Sequence, residues 1–214
     1  MKYDLPRPHL SNSSYTLWRS SKEQFRKRYY ENQEGFQTKE TNFGKKIAKM
    51  LENGEFVNDK IIIYPNPEYR IYEELEPGLM LLGYLDSFDP ETCSILEYKT
   101  GRLSNKGKVP WDNLKVRKQK QLVFYSLLSQ LKHNKVNPKT TLQWIETELK
   151  DDTREFDGHI LTAGKSKLSL TGKVETFERE IAQWEIDNLK EDILLAAKEI
   201  TEDYKIWKNQ QKNN

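Results

Sequence analysis

Apolar positions along the chain fall into blocks whose period changes, and those changes divide the sequence into elements. Ser11–Ser14 offers cap hydroxyls ahead of a stretch in which Leu17, Phe25 and Tyr29 can share an inner face, which predicts a helix over roughly 15–31. Thr41-Asn42 opens a second helix, 43–53, with Ile47, Met50 and Leu51 on one side and Gly54 past its end. Segments 69–75, 80–88 and 94–100 then read as strands. Asp89-Pro90-Glu91-Thr92 between the last two is turn chemistry, so they form a hairpin. After a polar loop at 106–113 with Gly107 and Pro110, Val116, Val123, Phe124, Leu127, Leu128 and Leu131 recur at the helical period. They predict a helix over 115–133 that packs on the sheet. A strand over 140–149 follows, then two β-leaning segments, 155–163 and 167–179. The last element is a helix over about 181–208, with Trp184, Leu189, Ile193, Ala196, Ile200 and Tyr204 as its buried stripe. This order predicts an α/β fold with a mixed central sheet flanked by helices. No repeat, low-complexity tract or linker divides it, so residues 1–214 read as a single domain with the last helix packed on the core.

Composition narrows the class. Charged residues make up 32% of the 214 and the apolar set only 36%, yet 8 Phe, 11 Tyr and 5 Trp supply a core with large side chains. The lone Cys93 excludes an intrachain disulfide, a four-cysteine zinc site and a cysteine-ligated iron–sulfur cluster. His9, His133 and His159 have no ligand spacing between them. The longest apolar stretches fall far short of the ~20 residues of a membrane span, and MKYDLPRPHL carries no signal-like apolar run. The expectation is a soluble cytoplasmic protein with no membrane partner. Net charge is only +2, but its distribution is uneven. Residues 19–30 and 99–120 are basic, and 181–205 carries seven acids against Lys190, Lys198 and Lys205. Two basic segments and an acidic helix suggest a face turned toward a polyanion.

Chemistry concentrates around the hairpin. Glu97 and Lys99 alternate onto the same side of a strand. A turn centred on Pro90-Glu91 sets Asp86 opposite Ile95, on that same side. Two carboxylates and one ammonium then meet near the open end of the hairpin. Asp86 and Glu97 are hard oxygen ligands for a divalent cation, and the Tyr98 carbonyl is a third donor. Such an ion polarises a phosphoryl oxygen, and Lys99 orients water or screens developing charge. The plainer alternative is an exposed cross-strand salt bridge worth about 0–1 kcal/mol. Gln121 and Tyr125, one turn apart on the following helix, share a face. Glu146 and Glu148 share a strand face, which reads as solvated.

Gly83-Tyr84-Leu85-Asp86, Glu97-Tyr98-Lys99-Thr100-Gly101 and Gln121-Leu122-Val123-Phe124-Tyr125 together resemble the PD-(D/E)XK nuclease superfamily, in its RecB-like branch. Ser14-Tyr15-Thr16-Leu17 through Tyr29-Tyr30 is similar to that family's opening helix, and Phe43-Gly44-Lys45-Lys46-Ile47 to its second. The resemblance covers about residues 12–150 and implies a restriction-endonuclease-like core. It implies a Mg²⁺- or Mn²⁺-dependent DNA nuclease, an exonuclease or end-processing enzyme of recombination or repair, in a bacterial or phage-infected cell. Asp86 and Glu97 would be metal ligands and Lys99 the catalytic lysine, with Gln121 and Tyr125 supporting the site or holding nucleic acid beside it. Ala48 stands where the family often has a metal-binding His, and Glu52, one turn on, is the candidate substitute. DNA would be the partner, tracked by 19–30 and 102–120 with Arg102 and Lys118 among the contacts, and Tyr29, Tyr30 or Trp111 would stack on unpaired bases. A helicase or annealing protein is a further candidate partner. The alternative is a nuclease fold that has lost catalysis and binds DNA or serves as a scaffold.

Overall fold

Leu79, Leu81, Leu85 and Phe88 are wholly buried along one strand, β3 (Leu79–Asp89), and the sheet is built outward from it. The structure is a computed structural model that describes residues 3–33, 38–55, 58–104, 106–135, 139–150 and 167–212. β2 (Asn66–Glu76) pairs antiparallel with β3 along nearly its full length. A two-residue strand, β1 (Leu10–Ser11), pairs parallel with β3 at Leu81 and Leu82. β4 (Ser94–Gly101) joins β3 antiparallel, but only between Ser87–Asp89 and Ser94–Leu96. β5 (Lys139–Lys150) runs parallel to β4, and β6 (Lys167–Glu180) antiparallel to β5. The six-stranded sheet is therefore mixed, in the order β1-β3-β4-β5-β6 with β2 also on β3.

The helices differ from the sequence reading where a polar residue captures the backbone. The single helix expected over 15–31 is two, α1 (Asn12–Ser20) and α2 (Lys22–Tyr29). Ser21 separates them: its backbone is extended and its hydroxyl accepts from the Gln24 amide, so it caps the second helix. α3 (Lys39–Glu52) begins one turn earlier than expected, capped by Thr38. The helix expected over 115–133 is also broken. Asp112 caps a short α4 (Asn113–Arg117), and extended backbone at Gln119 turns the chain into α5 (Lys120–His133). α6 (Gln183–Lys212) is the long last helix. The expected segment 155–163 lies outside the described residues.

α5 carries the parallel crossover from β4 to β5 and buries every residue from Leu122 to Ser129. It packs on both the sheet and α6, so burial on every side over Leu122–Ser129 replaces the single stripe expected. Trp18, Phe25, Leu122, Phe124, Ile193 and Ile200 belong to this main core. A smaller cluster on the other side joins Ile47 and Leu51 of α3 to Ile145 and Tyr98. Among the described residues no helix is long and apolar enough to cross a membrane.

The acids of α6 answer the cations of α1 and α2. Arg19 pairs with Asp192 at 2.7 Å and with Glu199 at 3.2 Å, and Lys22 with Glu199 at 3.2 Å. Arg26 grips Asp203 through Nε at 2.9 Å and through a terminal nitrogen, and Tyr30 donates to Asp203 at 3.0 Å. The basic segment 19–30 is thus largely engaged within the chain instead of lying open to a polyanion. Tyr29 and Tyr30 are buried at 7% and 5% exposure, so neither is a stacking platform. Trp111 is half-buried and packs on the core.

The Arg26 hydrogen bonds, joined by that of Tyr30, hold the Asp203 carboxyl below its ordinary range. A carboxyl depressed in the folded state stabilises above its unfolded pKa and loses that contribution as pH falls through the folded value. Asp203→Asn is expected to cost about 1 kcal/mol at pH 7. The difference from wild type should begin to narrow near about pH 4, where the unfolded carboxyl protonates, and close once pH falls below the lowered folded value. Urea melts across a pH series check this, and a gap unchanged at pH 3 would contradict it.

Candidate active site

β3 and β4 splay apart just where the chemistry lies. Their recorded pairs, Ser87 with Leu96 and Phe88 with Ile95, shift the register by two from the sequence expectation, because the turn centres on Glu91-Thr92. Cys93 closes that turn with a left-handed φ of 56°. The shift preserves the face, and it brings Asp86 level with Glu97. Beyond Ser87 no ladder pair forms, and the Tyr98 amide donates to the Asp86 carboxylate at 2.7 Å. A side chain thus takes over a bond that the ladder would have made.

Glu97 is 2% exposed. One carboxylate oxygen accepts from Lys99 Nζ, while the other, Oε2, is buried without a hydrogen-bond partner. Lys99 also donates to Gln121 Oε1 at 3.0 Å, and Gln121 Nε2 donates to the Tyr125 hydroxyl at 2.9 Å. The amide orientation follows from the ammonium, which can only donate. Loss of hydration, reinforced by the Glu97 charge, drives the Asp86 carboxyl well above its ordinary range; the Tyr98 amide and Lys99 oppose this. Loss of hydration and the same Glu97 charge also raise the Tyr125 phenol, so Tyr125 stays protonated.

α3 roofs a cleft of about 480 Å³ over this cluster, lined among others by Gly44, Lys45, Ala48, Asp86, Glu97 and Lys99. Gly44 permits the approach, since a Cβ there would sit 3.0 Å from Thr100 Oγ1. On the other side of the sheet Gly83 does the same for α5. A Cβ at Gly83 would strike Leu128 and come within 3.2 Å of the Tyr125 ring.

The predicted residues thus divide. Asp86, Glu97, Lys99, Gln121 and Tyr125 are joined by direct bonds or charge coupling, and the Tyr98 backbone binds Asp86. Glu52, at the end of α3, is half-buried, and its carboxyl is raised by burial, by Glu68 and to a smaller extent by Asp86. It senses the site, yet among the described residues no three His, Cys, Asp or Glu side chains come together closely enough to hold a metal ion. Arg102 is exposed just past β4, and Lys118 is exposed beside a separate cleft at the start of α5. Glu146 and Glu148 accept from Thr171 and Ser169 on the strand face. Sequence reasoning missed Lys45 on the cleft wall, although its place directly after Gly44 in the α3 motif was a signal.

The architecture has solved counterparts. The alkaline exonuclease LHK-Exo from Laribacter hongkongensis superposes with a TM-score of 0.50 at 10% identity, covering 96% of this chain and 94% of that one. The crystal structure of LHK-Exo in complex with dAMP superposes at 0.51 and 11% identity, covering 97% and 95%. The chain shares the fold of that exonuclease. No family model and no curated protein matches it. At such identity the likeness concerns the mixed sheet and its flanking helices across nearly the whole of both chains.

Gly83→Ala is expected to lower unfolding free energy by about 1–3 kcal/mol, because the added methyl meets Leu128 and Tyr125, both buried in the main core. Denaturant melts of the variant test this, and an unchanged midpoint would show that the close approach of α5 to β3 is not tight.

Proposed function

We propose that this chain is a metal-dependent deoxyribonuclease of the PD-(D/E)XK type, RecB-like in its motifs. The observation that carries the reading is the buried, unpartnered Oε2 of Glu97 beside Asp86 and Lys99. With both carboxyls ionised, two carboxylates and one ammonium would carry a net negative charge in a place poor in water. The raised Asp86 carboxyl answers it with a proton in the free protein, and a bound cation would take that proton's place. A hard divalent cation fits that donor set, with Asp86, Glu97 and the Tyr98 carbonyl as its ligands. When bound, Mg²⁺ or Mn²⁺ would polarise the scissile phosphate.

The chain's own groups do the rest. Lys99 is held between Glu97 and Gln121, so its ammonium is fixed in direction before substrate arrives. There it orients an attacking water and offsets the charge that develops on the phosphoryl oxygens. Gln121 positions Lys99, and Tyr125, kept protonated by burial, positions Gln121. Exonuclease or end-processing action on DNA is the finer reading, supported by the fold shared with an alkaline exonuclease. A second reading, a nuclease fold that binds DNA without cutting it, is favoured by Ala48 on the cleft wall and by the absence of a third converging carboxylate among the described residues.

Cleavage of linear and closed-circular DNA, single- and double-stranded, with Mg²⁺ or Mn²⁺, tests the proposal. Lys99→Ala is expected to lose at least ~10²-fold in rate while retaining DNA binding. Attack on linear but not closed DNA would establish an exonuclease. A variant that cuts at the wild-type rate sinks the mechanism, and a wild type that binds but never cuts favours the second reading.

A further inference from the structure

Trp184 departs most from its expected place. The periodicity of α6 puts it in the buried stripe, yet it is 65% exposed, while Ile186 and Ala197 are buried instead. A cleft opens on either side of the indole. One, of about 320 Å³, is lined by Tyr15, Lys118, Lys120, Asn188 and others; the second, of about 710 Å³, includes Asn113, Arg117 and Arg179.

The ring is held on a fixed mount. Arg179, only 7% exposed, donates to the Val116 carbonyl at 3.1 Å and pairs with Glu185, so one guanidinium clamps the end of α4 to the first turn of α6. Glu185 also accepts from the Ala182 amide at 3.1 Å, and Gln183 is tied to Gln130 at 2.9 Å. Arg117 and Lys118 are thereby kept beside the indole.

Both signs of charge line the two clefts: Glu178 is paired with Lys139, and Glu180 is the exposed acid without an ion pair among the described residues. Glu185 is answered by Arg179, and Asp192 by Arg19, Tyr15 and Lys120. Arg117 and Lys118 are exposed and make no ion pair among the described residues. The break at Gln119 that ends α4 sets Lys118 three residues before Gln121, the partner of Lys99. Nucleic acid lying across the start of α5 would thus meet cations for its phosphates and a flat exposed indole for its bases.

We propose that Trp184, flanked by Arg117 and Lys118, is a binding station for single-stranded nucleic acid, where an unpaired base stacks on the indole. Stacking tolerates any base because each has a π-face, so the station holds a strand without reading its sequence. The proposal rests on the nucleic-acid reading of the catalytic cleft, but its test is binding and not cleavage.

The measurement is fluorescence anisotropy of a labelled oligothymidylate, and of an abasic oligonucleotide of equal length, without divalent cations. Trp184→Ala is expected to weaken oligothymidylate binding by ~5- to 100-fold, with Trp184→Phe restoring part of the loss, and to leave the abasic strand unaffected. Lys118→Ala should weaken both strands and reduce the salt slope by about one. Trp184 is a surface residue, so far-ultraviolet dichroism of the variant should match wild type. Wild-type affinity in Trp184→Ala, or an equal loss for the abasic strand, overturns the proposal and leaves the indole as a surface for a protein partner. Cleavage by the wild type with Trp184-independent binding keeps the nuclease reading and removes this one. Trp184-dependent binding without cleavage does the reverse.

Discussion

Holding the Glu97 carboxylate inside the protein is the constraint on which the rest of the structure turns. A carboxylate that is 2% exposed, with one oxygen unpartnered, is expensive, and its nearest neighbours are another carboxylate and a single ammonium. The arrangement around it is built to keep that charge in place. β3 and β4 separate so that Asp86 can enter beside it, and the Tyr98 amide ties the two strands across the gap. α5 brings Gln121 to Lys99, and its approach depends on the missing side chain at Gly83. α3 closes the opposite side over Gly44. Strain of this kind, an unsatisfied buried charge within a rigid frame, belongs where a ligand is to be bound.

The same economy of charge explains the surface. α6 is acidic because α1 and α2 are basic, and the two sides are joined by Arg19, Lys22 and Arg26 on Asp192, Glu199 and Asp203. That internal match leaves Arg117 and Lys118, in the turn between α4 and α5, as exposed cations beside Trp184. The break at Lys118-Gln119 serves both roles, since it starts the helix that carries Gln121 and exposes Lys118 beside Trp184.

Much of this was legible in the sequence, and for identifiable reasons. Alternation and turn chemistry placed β3, β4 and the face shared by Asp86, Glu97 and Lys99, because side-chain parity survives a register shift of two. The helical spacing of Gln121 and Tyr125 likewise anticipated their hydrogen bond. Local polar competition was harder to see: Ser21 looks like an ordinary helix residue until its side chain is found capping a backbone amide, and Asp112, read as part of a loop, caps a short helix of its own. β1, two residues long, has no periodicity to read. For residues 19–30 the charge run was visible but its partner was not, since a basic segment looks the same whether it faces a polyanion or an acidic helix. Trp184 was assigned to a buried stripe by spacing, but the first turn of a helix can stand clear of the core, and only tertiary packing decides that.

The central claim is that Asp86 and Glu97 form a cation site, in which a divalent ion takes the place of the proton that burial holds on Asp86. Calorimetric titration of Mn²⁺ into the wild type and into Asp86→Ala, with a melting curve of each protein, tests it most directly. The account predicts saturable heat in the wild type that disappears in a variant still folded. No heat in the wild type, or undiminished heat in Asp86→Ala, would contradict it.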